Sequence, residues 1–141
     1  MQKGLIIHTA IYNDQGEFLV IRRAAHRSVY PNLWDIPGGT LEDGEDPMVG
    51  AKREISEETS LVVEDLSLFS HTSNIDEEKD KQFVRLLFIA QYPGGEIQVS
   101  PAEHQDYRWI KPNEINSIET VYYLPDMFKL LSSKSHQLLE Y

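Results

Sequence analysis

The sequence contains no cysteine, and its 141 residues include only 13 basic side chains against 23 acidic ones. Without cysteine the chain has neither disulfide bonds nor a thiolate that could act as a nucleophile or metal ligand. The net charge of −10 disfavours sequence-independent binding to nucleic acid or to anionic membrane surfaces, so we expect neither partner. No apolar run approaches the length of a membrane span, and the N-terminal stretch is unlike a signal peptide. We therefore expect a cytoplasmic protein.

Length and composition are those of an ordinary folded domain. The hydrophobic fraction of 40% is sufficient for a buried core in a chain of 141 residues. The sequence has no internal repeat, low-complexity segment or linker. We therefore expect a single domain over residues 1–141.

The stretch from Asp46 to Ser60 has the pattern of a helix. Asp46 can cap the N-terminus with its carboxylate, and Pro47 suits the first helical position, where no amide hydrogen is needed. Spacings of three and four residues place one stripe of side chains toward the core: Met48, Ala51, Ile55 and Thr59. The same spacings group three carboxylates on a different arc of the helix: Glu54, Glu57 and Glu58.

Carboxylates at these spacings repel one another, by roughly 0.2–0.5 kcal/mol per pair on an isolated helix. A divalent cation would offset the repulsion, since Mg²⁺ is commonly held by one or two carboxylates together with substrate phosphates. The alternative is a solvated acidic helix face, which is the commoner explanation of such a cluster taken alone. The neighbouring residues favour the metal.

Three residues precede the cluster at fixed intervals: Gly39, Glu45 and Arg53. From Gly39 to Leu61 the sequence resembles the box of the Nudix hydrolases, G-x5-E-x7-R-E-U-x-E-E-x-G-U with U aliphatic, and it looks like a MutT-type member. The one departure is Ser60, which stands where the family has glycine. Glycine is favoured there because a left-handed residue commonly ends a helix, so we expect serine to cost some stability and to leave the carboxylates intact.

The resemblance implies a site for Mg²⁺ or Mn²⁺ on this helix. It implies Glu57 and Glu58 as the principal metal ligands and Glu54 as a ligand or the general base. It also implies that the carbonyl of Gly38 helps to bind the metal. The segment from Pro101 to Ile110 is similar to the family as well, with an E-H pair before an aromatic-W-aliphatic strand, and there the resemblance implies Glu103 as an extra ligand or the rival base.

Other residues of the box have supporting roles by the same resemblance. Arg53 belongs to the catalytic group because it orients the carboxylates, and Glu45 assists it. Gly39 gives structural support, since glycine permits close approach of the backbone.

Two arginines and a tryptophan are candidates for substrate binding. Arg22 and Arg23 end a strand, where the simplest explanation is a solvated edge. The local text RRAA is similar to MutT-type enzymes, which implies that one of them binds substrate phosphate through a bidentate fork, and we favour Arg23. Trp34 lies in W-x-x-P-G-G, again similar to the family. Packing is the simpler role for this ring, and stacking on a substrate base is the functional alternative.

Apolar alternation and turn residues predict strands over residues 5–12, 17–23, 61–75, 82–91, 97–100 and near 107–110. A helical turn is predicted at 111–115, and an amphipathic helix at 125–139 with four apolar positions, Met127, Leu130, Leu131 and Leu138. This order predicts an α/β protein with a mixed sheet and helices on both sides. The resemblance implies the Nudix α/β/α sandwich.

The resemblance implies an enzyme that hydrolyses a nucleoside diphosphate linked to another group. We favour nucleoside or deoxynucleoside triphosphates as substrates. ADP-ribose, nucleotide sugars and dinucleoside polyphosphates stay open, because base and sugar recognition in the family lies outside the box. The rival class is a nucleotide-sensing module without turnover, although such domains usually lose box glutamates that this chain keeps. A homodimer also stays open.

Overall fold

The structure is a computed structural model that describes residues 1–133. In this part of the chain, seven strands form one mixed sheet: β1 (Gln2–Tyr12), β2 (Phe18–Arg23), β3 (Trp34–Asp35), β4 (Gly38–Thr40), β5 (Ser67–Asp76), β6 (Lys81–Gln91) and β7 (His104–Ile110). The helices are α1 (Pro47–Thr59), a 3₁₀ helix (Pro112–Ser117) and α2 (Leu124–Ser133). None of these described helices is long and apolar enough to cross a membrane.

Strand β1 is the centre of the sheet. It pairs in parallel with β6 along its whole length. Its other edge is shared between two strands, since Tyr12 pairs with Phe18 of β2 whereas residues 6–8 pair with β4. The sheet therefore forks beside the middle of β1. The remaining strands extend the sheet, with β3 and β7 flanking β2 and β5 lying outside β6.

Two hydrophobic cores lie on opposite faces of this sheet. One joins the sheet to α1 through residues that include Ile11, Leu19 and Ile55. The other joins the sheet to α2 through residues that include Val20 and Phe128. Leu19 and Val20 are successive residues of β2 and belong to different cores, because side chains alternate between the faces of a strand. The predicted sandwich of a mixed sheet between helices is confirmed.

Helix α1 begins and ends where the sequence predicts. The Asp46 carboxylate accepts the Met48 N–H at 3.1 Å, and Pro47 occupies the first turn. Ser60 ends the helix in the left-handed conformation with a φ of 65°. The Ser60 hydroxyl donates to the carbonyl of Gln98 at 3.2 Å. Short-range capping chemistry therefore sets both ends of the helix.

The predicted core stripe of α1 is correct except at its first member. Met48 is 39% exposed, whereas Ala51, Ile55 and Thr59 are buried. Contact with the core starts one turn after the helix begins.

The predicted strand over residues 61–75 is shorter than expected, and the one over residues 97–100 is not a strand. Residues 61–66 lack regular structure, and β5 begins only at Ser67. Residues 97–100 also form no strand, and the Gln98 N–H donates to the carbonyl of Thr59 at 2.9 Å, at the end of α1. Leu61 and Ile97 are both buried in the core beside α1. Their apolar side chains cover the helix and do not extend the sheet.

The C-terminal helix is confirmed over its described part. Met127 and Leu131 are buried in α2, and Leu130 is half-buried. The predicted continuation over residues 134–139, with Leu138, lies outside the described residues.

We expect Ser60→Gly to stabilise the protein. A serine held in the left-handed conformation costs about 1 kcal/mol, because its Cβ crowds the following carbonyl. Loss of the exposed hydroxyl bond to Gln98 costs about 0.5 kcal/mol, so the variant should gain roughly 0.5 kcal/mol of unfolding free energy. Urea titration measures this as a higher midpoint. The matched control is Ser60→Ala, which keeps the Cβ, loses the bond and should have a lower midpoint than wild type. A glycine variant no more stable than wild type contradicts the prediction.

Candidate active site

A cavity of about 430 Å³ opens at the fork of the sheet. Pockets that hold small-molecule ligands span about 300–1,000 Å³, so a ligand of that class fits. Strands β1, β4 and β6, helix α1 and the loops beside β2 and β7 all contribute to its walls. Six of the residues predicted from sequence line this cavity: Arg23, Gly38, Gly39, Glu54, Glu58 and Glu103.

Glu58 and Glu54 of α1 form the acidic wall of the cavity. Glu58 is buried and accepts a hydrogen bond from the Gly38 N–H at 2.9 Å. Burial, followed by the charge of Glu54, raises the pKa of Glu58 well above its usual range. The pKa of Glu54 is also raised, because burial outweighs the hydrogen bond that Arg53 donates. The pKa values of both carboxyl groups are raised, and the charge of Glu54 opposes ionisation of Glu58, so this wall resists full ionisation unless positive charge arrives.

Arg53 connects the acids on the outer side of the helix. Its Nε and Nη2 donate to the two oxygens of Glu45 at 2.7 and 3.0 Å. Its Nη1 donates to Glu54 Oε1 at 2.9 Å and to Glu57 Oε2 at 3.2 Å. The Glu57 side chain is 56% exposed and does not line the cavity. The structure thus brings Glu54 and Glu58 together and leaves Glu57 outside, attached to Arg53.

The residues beside Glu58 could hold a divalent cation. Glu58, Glu103 and His104 each offer one ligand atom, and these three atoms lie within 4.8 Å of one another. Carboxylate oxygens suit Mg²⁺ and Mn²⁺, and a neutral imidazole suits several other divalent metals. Burial lowers the pKa of His104 to about 4, so its ring is neutral near pH 7. Its Nε2 lies 3.7 Å from Glu58 Oε1, and its buried Nδ1 has no partner among residues 1–133. This donor set fits a divalent cation.

At the two glycines of β4 a side chain would meet the β1 backbone, in the case of Gly38, or displace the Glu54 carboxylate, in the case of Gly39. A Cβ at Gly38 would lie 2.1 Å from the carbonyl oxygen of Ile7, and a Cβ at Gly39 would lie 2.6 Å from Glu54 Oε1. Real Cβ atoms do not approach other atoms so closely. Glycine therefore lets the backbone of β4 lie against both β1 and the acids of α1.

The two arginines at the end of β2 face different surroundings. Arg23 lines the cavity, where its Nε and Nη2 donate to the Val29 carbonyl at 3.1 and 2.9 Å. Its Nη1 lies 3.8 Å from Asp35 Oδ2. Arg22 does not line the cavity, and its Nε donates to the Asn32 carbonyl at 2.9 Å. The pairing of β2 with β7 shifts register between the two arginines, which separates their environments.

Trp34 is part of the core. It is 8% exposed and belongs to the cluster beneath α2. The guanidinium of Arg108 lies 5.8 Å from its ring centroid, and Trp34 does not line the cavity. This position agrees with the packing role and gives no support to stacking on a substrate base.

Several polar residues of the cavity are not predicted from sequence: His8, Arg27, Tyr30, Asp35, Thr40, Arg85 and Tyr123. His8 and Arg85 do leave a local signal, because each interrupts an apolar strand, in IIHTAI and FVRLLF. Asp35 and Tyr123 leave no such signal, since the Tyr123 hydroxyl donates to the Asp35 carboxyl only through the tertiary fold. His104 belongs to the E-H pair of the sequence, to which the resemblance assigns a role only through Glu103.

Residues 3–131 match the family model of the NUDIX domain. The chain belongs to the Nudix family. This Nudix protein is a hydrolase, and its family acts on nucleoside diphosphate derivatives. The expected family membership and enzyme class are thereby confirmed.

Relatives of this Nudix hydrolase occur among curated proteins and solved structures. The nucleoside triphosphatase NudI of Escherichia coli K12 is 30% identical over 124 residues, which cover 82% of this chain and 86% of that protein. The MutT protein of Methanosarcina mazei Go1 superposes with a TM-score of 0.81 at 25% identity, covering 95% and 96% of the two chains. The NUDIX domain of Shewanella oneidensis NrtR, solved with ADP ribose, superposes with a TM-score of 0.77 at 17% identity, covering 95% and 88%. This last likeness is one of fold.

Asp35 imposes a pH dependence on stability that we expect Asp35→Asn to remove. Burial raises the pKa of Asp35 to about 6, although Tyr123 and Ile36 donate hydrogen bonds to it. The folded carboxyl therefore holds its proton more tightly than the unfolded one, whose pKa is 3.8. As pH rises from about 4 to about 6, this group lowers the unfolding free energy by at most roughly 3 kcal/mol.

Urea titrations of wild type and Asp35→Asn across this interval measure the effect. The difference in unfolding free energy should move in favour of the variant as pH rises to about 6 and stay constant above it. The other titrating groups are common to both proteins, so their contributions cancel in the difference. A difference that does not change with pH contradicts the prediction.

Proposed function

We propose that this Nudix hydrolase is a Mg²⁺-dependent nucleoside triphosphate pyrophosphohydrolase. The observation that carries the proposal is the convergence of Glu54, Glu58 and Glu103 on one cavity whose rim carries Arg23. Acids suited to a divalent cation and an arginine suited to phosphate are the two groups that phosphoryl transfer needs. The likeness to a relative named nucleoside triphosphatase, at 30% identity, supports triphosphates within the family's range.

Glu58 and Glu103 would hold the cation, together with Glu54 and the carbonyl of Gly38, and Glu57 would join them by turning inward from Arg53. A bound divalent cation neutralises charge on the phosphoryl oxygens and makes a bound water a better nucleophile. The chain's own contribution is to keep the acids in place. The Gly38 N–H fixes Glu58 Oε2, and Arg53 fixes Glu54 Oε1. Glu45 in turn fixes Arg53 through two hydrogen bonds, so the orientation of the acids does not depend on the substrate.

Arg23 is the proposed phosphate ligand. Two of its nitrogens are anchored on the Val29 carbonyl, which leaves Nη1 directed to the side of Asp35 and the cavity. An arginine held in this way can donate to a phosphate with little further loss of side-chain freedom. Arg22, through its bond to the Asn32 carbonyl, supports the loop that anchors Arg23.

Two residues compete for the role of general base, which accepts a proton from the attacking water. Glu54 is already an acceptor for Arg53, which holds one of its oxygens. Glu103 lines the same cavity from the loop before β7 and is half-buried. We propose Glu54 as ligand or base and Glu103 as its rival.

The proposed reaction predicts chelator-sensitive release of pyrophosphate. We expect turnover of nucleoside or deoxynucleoside triphosphates with Mg²⁺, weaker or equal turnover with Mn²⁺, and loss of activity with EDTA. Parallel assays with ADP-ribose, nucleotide sugars and dinucleoside polyphosphates determine which class of compound the enzyme hydrolyses. Turnover confined to one of those compounds overturns the triphosphate assignment. Binding of nucleotides without any turnover overturns catalysis and supports a sensing module.

Substitution of the acids tests which of them serve the reaction. We expect Glu58→Gln to reduce kcat about 100-fold or more, because a preorganised group that compensates charge is lost from the cavity. Glu57→Gln tests whether this exposed acid reaches the cation in the working enzyme, and as a ligand it should produce a similar loss. Glu78→Gln, in the loop between β5 and β6, is the matched control and should keep wild-type activity. Wild-type activity of Glu57→Gln removes Glu57 from the ligand set, and wild-type activity of Glu58→Gln removes the proposed site.

The pH profiles of Glu54→Gln and Glu103→Gln separate the two candidate bases. Loss of the base removes the acidic limb of the kcat profile, because no group then has to lose a proton before it can accept one from water. The variant of the other residue should keep that limb at a lower rate. Retention of the limb in both variants contradicts both assignments.

A further inference from the structure

Arg27 is a cation of the cavity whose side chain has no bonded partner in the described protein. It lines the cavity together with Arg23 and Arg85. Arg23 donates to the Val29 carbonyl, and Arg85 contacts His8. The half-buried Arg27 forms no ion pair within 4 Å and no side-chain hydrogen bond with residues 1–133. All five N–H donors of its guanidinium are therefore available to a ligand.

The turn that carries Arg27 is fixed beside Glu103. The Ala24 N–H donates to the Glu103 carbonyl at 2.9 Å, and the Arg27 N–H donates to the Ala24 carbonyl at 3.2 Å. His26 Nε2 donates to the Ala102 carbonyl at 2.9 Å, since a carbonyl can only accept. These three bonds hold the turn against the segment that brings Glu103 to the cavity.

The charge of Arg27 acts on the residues that could hold a cation. Burial, followed by the charges of Arg27 and Arg23, lowers the pKa of His104 to about 4. Charges exposed to solvent are screened beyond roughly 8–10 Å, so a guanidinium that acts on this ring lies near it. His104 offers its ligand atom together with Glu58 and Glu103. Arg27 thus lies near both acids, although no ion pair within 4 Å joins it to either of them.

Arg23 and Arg27 differ in the donors that they can offer to a phosphate. Nε and Nη2 of Arg23 both donate to the Val29 carbonyl, which occupies one edge of its guanidinium. Arg27 keeps every edge, and two parallel N–H bonds from one edge match two oxygens of a phosphate group. The bidentate fork expected of Arg23 from the sequence is therefore available at Arg27.

We propose that Arg27 binds a second phosphate group, so that Arg23 and Arg27 together select a chain of two or more phosphates over a single phosphate. On an open surface such a side chain would simply be solvated, but Arg27 lines a cavity and its turn is fixed beside an acid. A diphosphate carries more charge than a single phosphate and has a second group for the second arginine. The inference rests on the proposed function, because it places the phosphate chain of a nucleotide at the acids.

Calorimetric titration with two phosphonates tests the proposal without turnover. Methylenediphosphonate has two phosphoryl groups joined through a carbon that hydrolysis does not cleave, and methylphosphonate has one. Each is titrated with Mg²⁺ into the wild-type enzyme and into Arg27→Gln. We expect the substitution to weaken binding of methylenediphosphonate about tenfold, because charge-assisted bonds are lost. Binding of methylphosphonate should weaken less than about threefold, which is the effect of removing one exposed charge.

Three results overturn the proposal: an equal loss of affinity for both phosphonates, no loss for either, or a wild-type enzyme that does not bind methylenediphosphonate. Dependence of methylenediphosphonate binding on Arg27 without triphosphate turnover keeps this inference and rejects the proposed function. Turnover of triphosphates with unchanged binding of methylenediphosphonate in Arg27→Gln does the reverse.

Arg108→Gln is the matched control for net charge. Arg108 is exposed on β7 and does not line the cavity, so this variant should keep the wild-type affinity for both phosphonates. Arg27→Lys keeps the charge and loses the fork, and its affinity for methylenediphosphonate should fall between those of Arg27→Gln and wild type. Thermal unfolding verifies that each variant is folded. Equal weakening by Arg108→Gln and Arg27→Gln overturns the assignment, and so does a folded Arg27→Lys with wild-type affinity.

Discussion

The close approach of β4 to β1 at Gly38 is the contact on which the site depends. At Gly38 the backbone of β4 lies against the Ile7 carbonyl, on the other side it donates to Glu58, and beside it lies the ring of His8. Any larger residue would push β4 away from β1 and would separate the acids of α1 from His8 on β1 and Arg85 on β6. Because β4 takes the edge of β1 that β2 leaves free, the same contact opens the fork in which the cavity lies. A constraint on one backbone position thus determines both the space and the chemistry around it.

The charges on α1 suit a bound cation better than they suit the stability of the protein without one. Arg53 compensates Glu45 and Glu57 on the outer side of the helix, where its hydrogen bonds lower the pKa of Glu45, and it also donates to one oxygen of Glu54 in the cavity wall. Glu58 on the inner side has no such partner, since its neighbours are the Gly38 N–H, the neutral His104 and the Glu54 carboxyl. A buried acid without a cation is a cost that folding does not recover. Sites that bind charge commonly retain costs of this kind, because full compensation within the protein would leave nothing for the ligand to contribute.

The sequence predicts best where the physical cause is local. The ends of α1 follow from Asp46, Pro47 and Ser60, and the two faces of β2 follow from simple alternation. The spacing of box residues brings Glu54 and Glu58 to one wall, but it does not reveal that Glu57 points outward to Arg53. The apolar pattern of residues 97–100 predicts a strand, but the same pattern serves a segment that covers a helix. The hydrogen bond from Gln98 to Thr59 at the end of α1 shows that these residues cover the helix. His8 and Arg85 come into contact only because β1 and β6 pair in parallel, and these strands are far apart in sequence, so no local pattern predicts the contact.

The arginines that line the cavity also explain how a chain with a net charge of −10 can receive an anionic ligand. The general field of the protein repels phosphate, so attraction has to come from short distances. Arg23, Arg27 and Arg85 line the same cavity as Glu54 and Glu58 of α1, so positive charge is available within it. In the proposed function, phosphate binding should then depend strongly on a cation at these acids, because without it the carboxylates repel the phosphate.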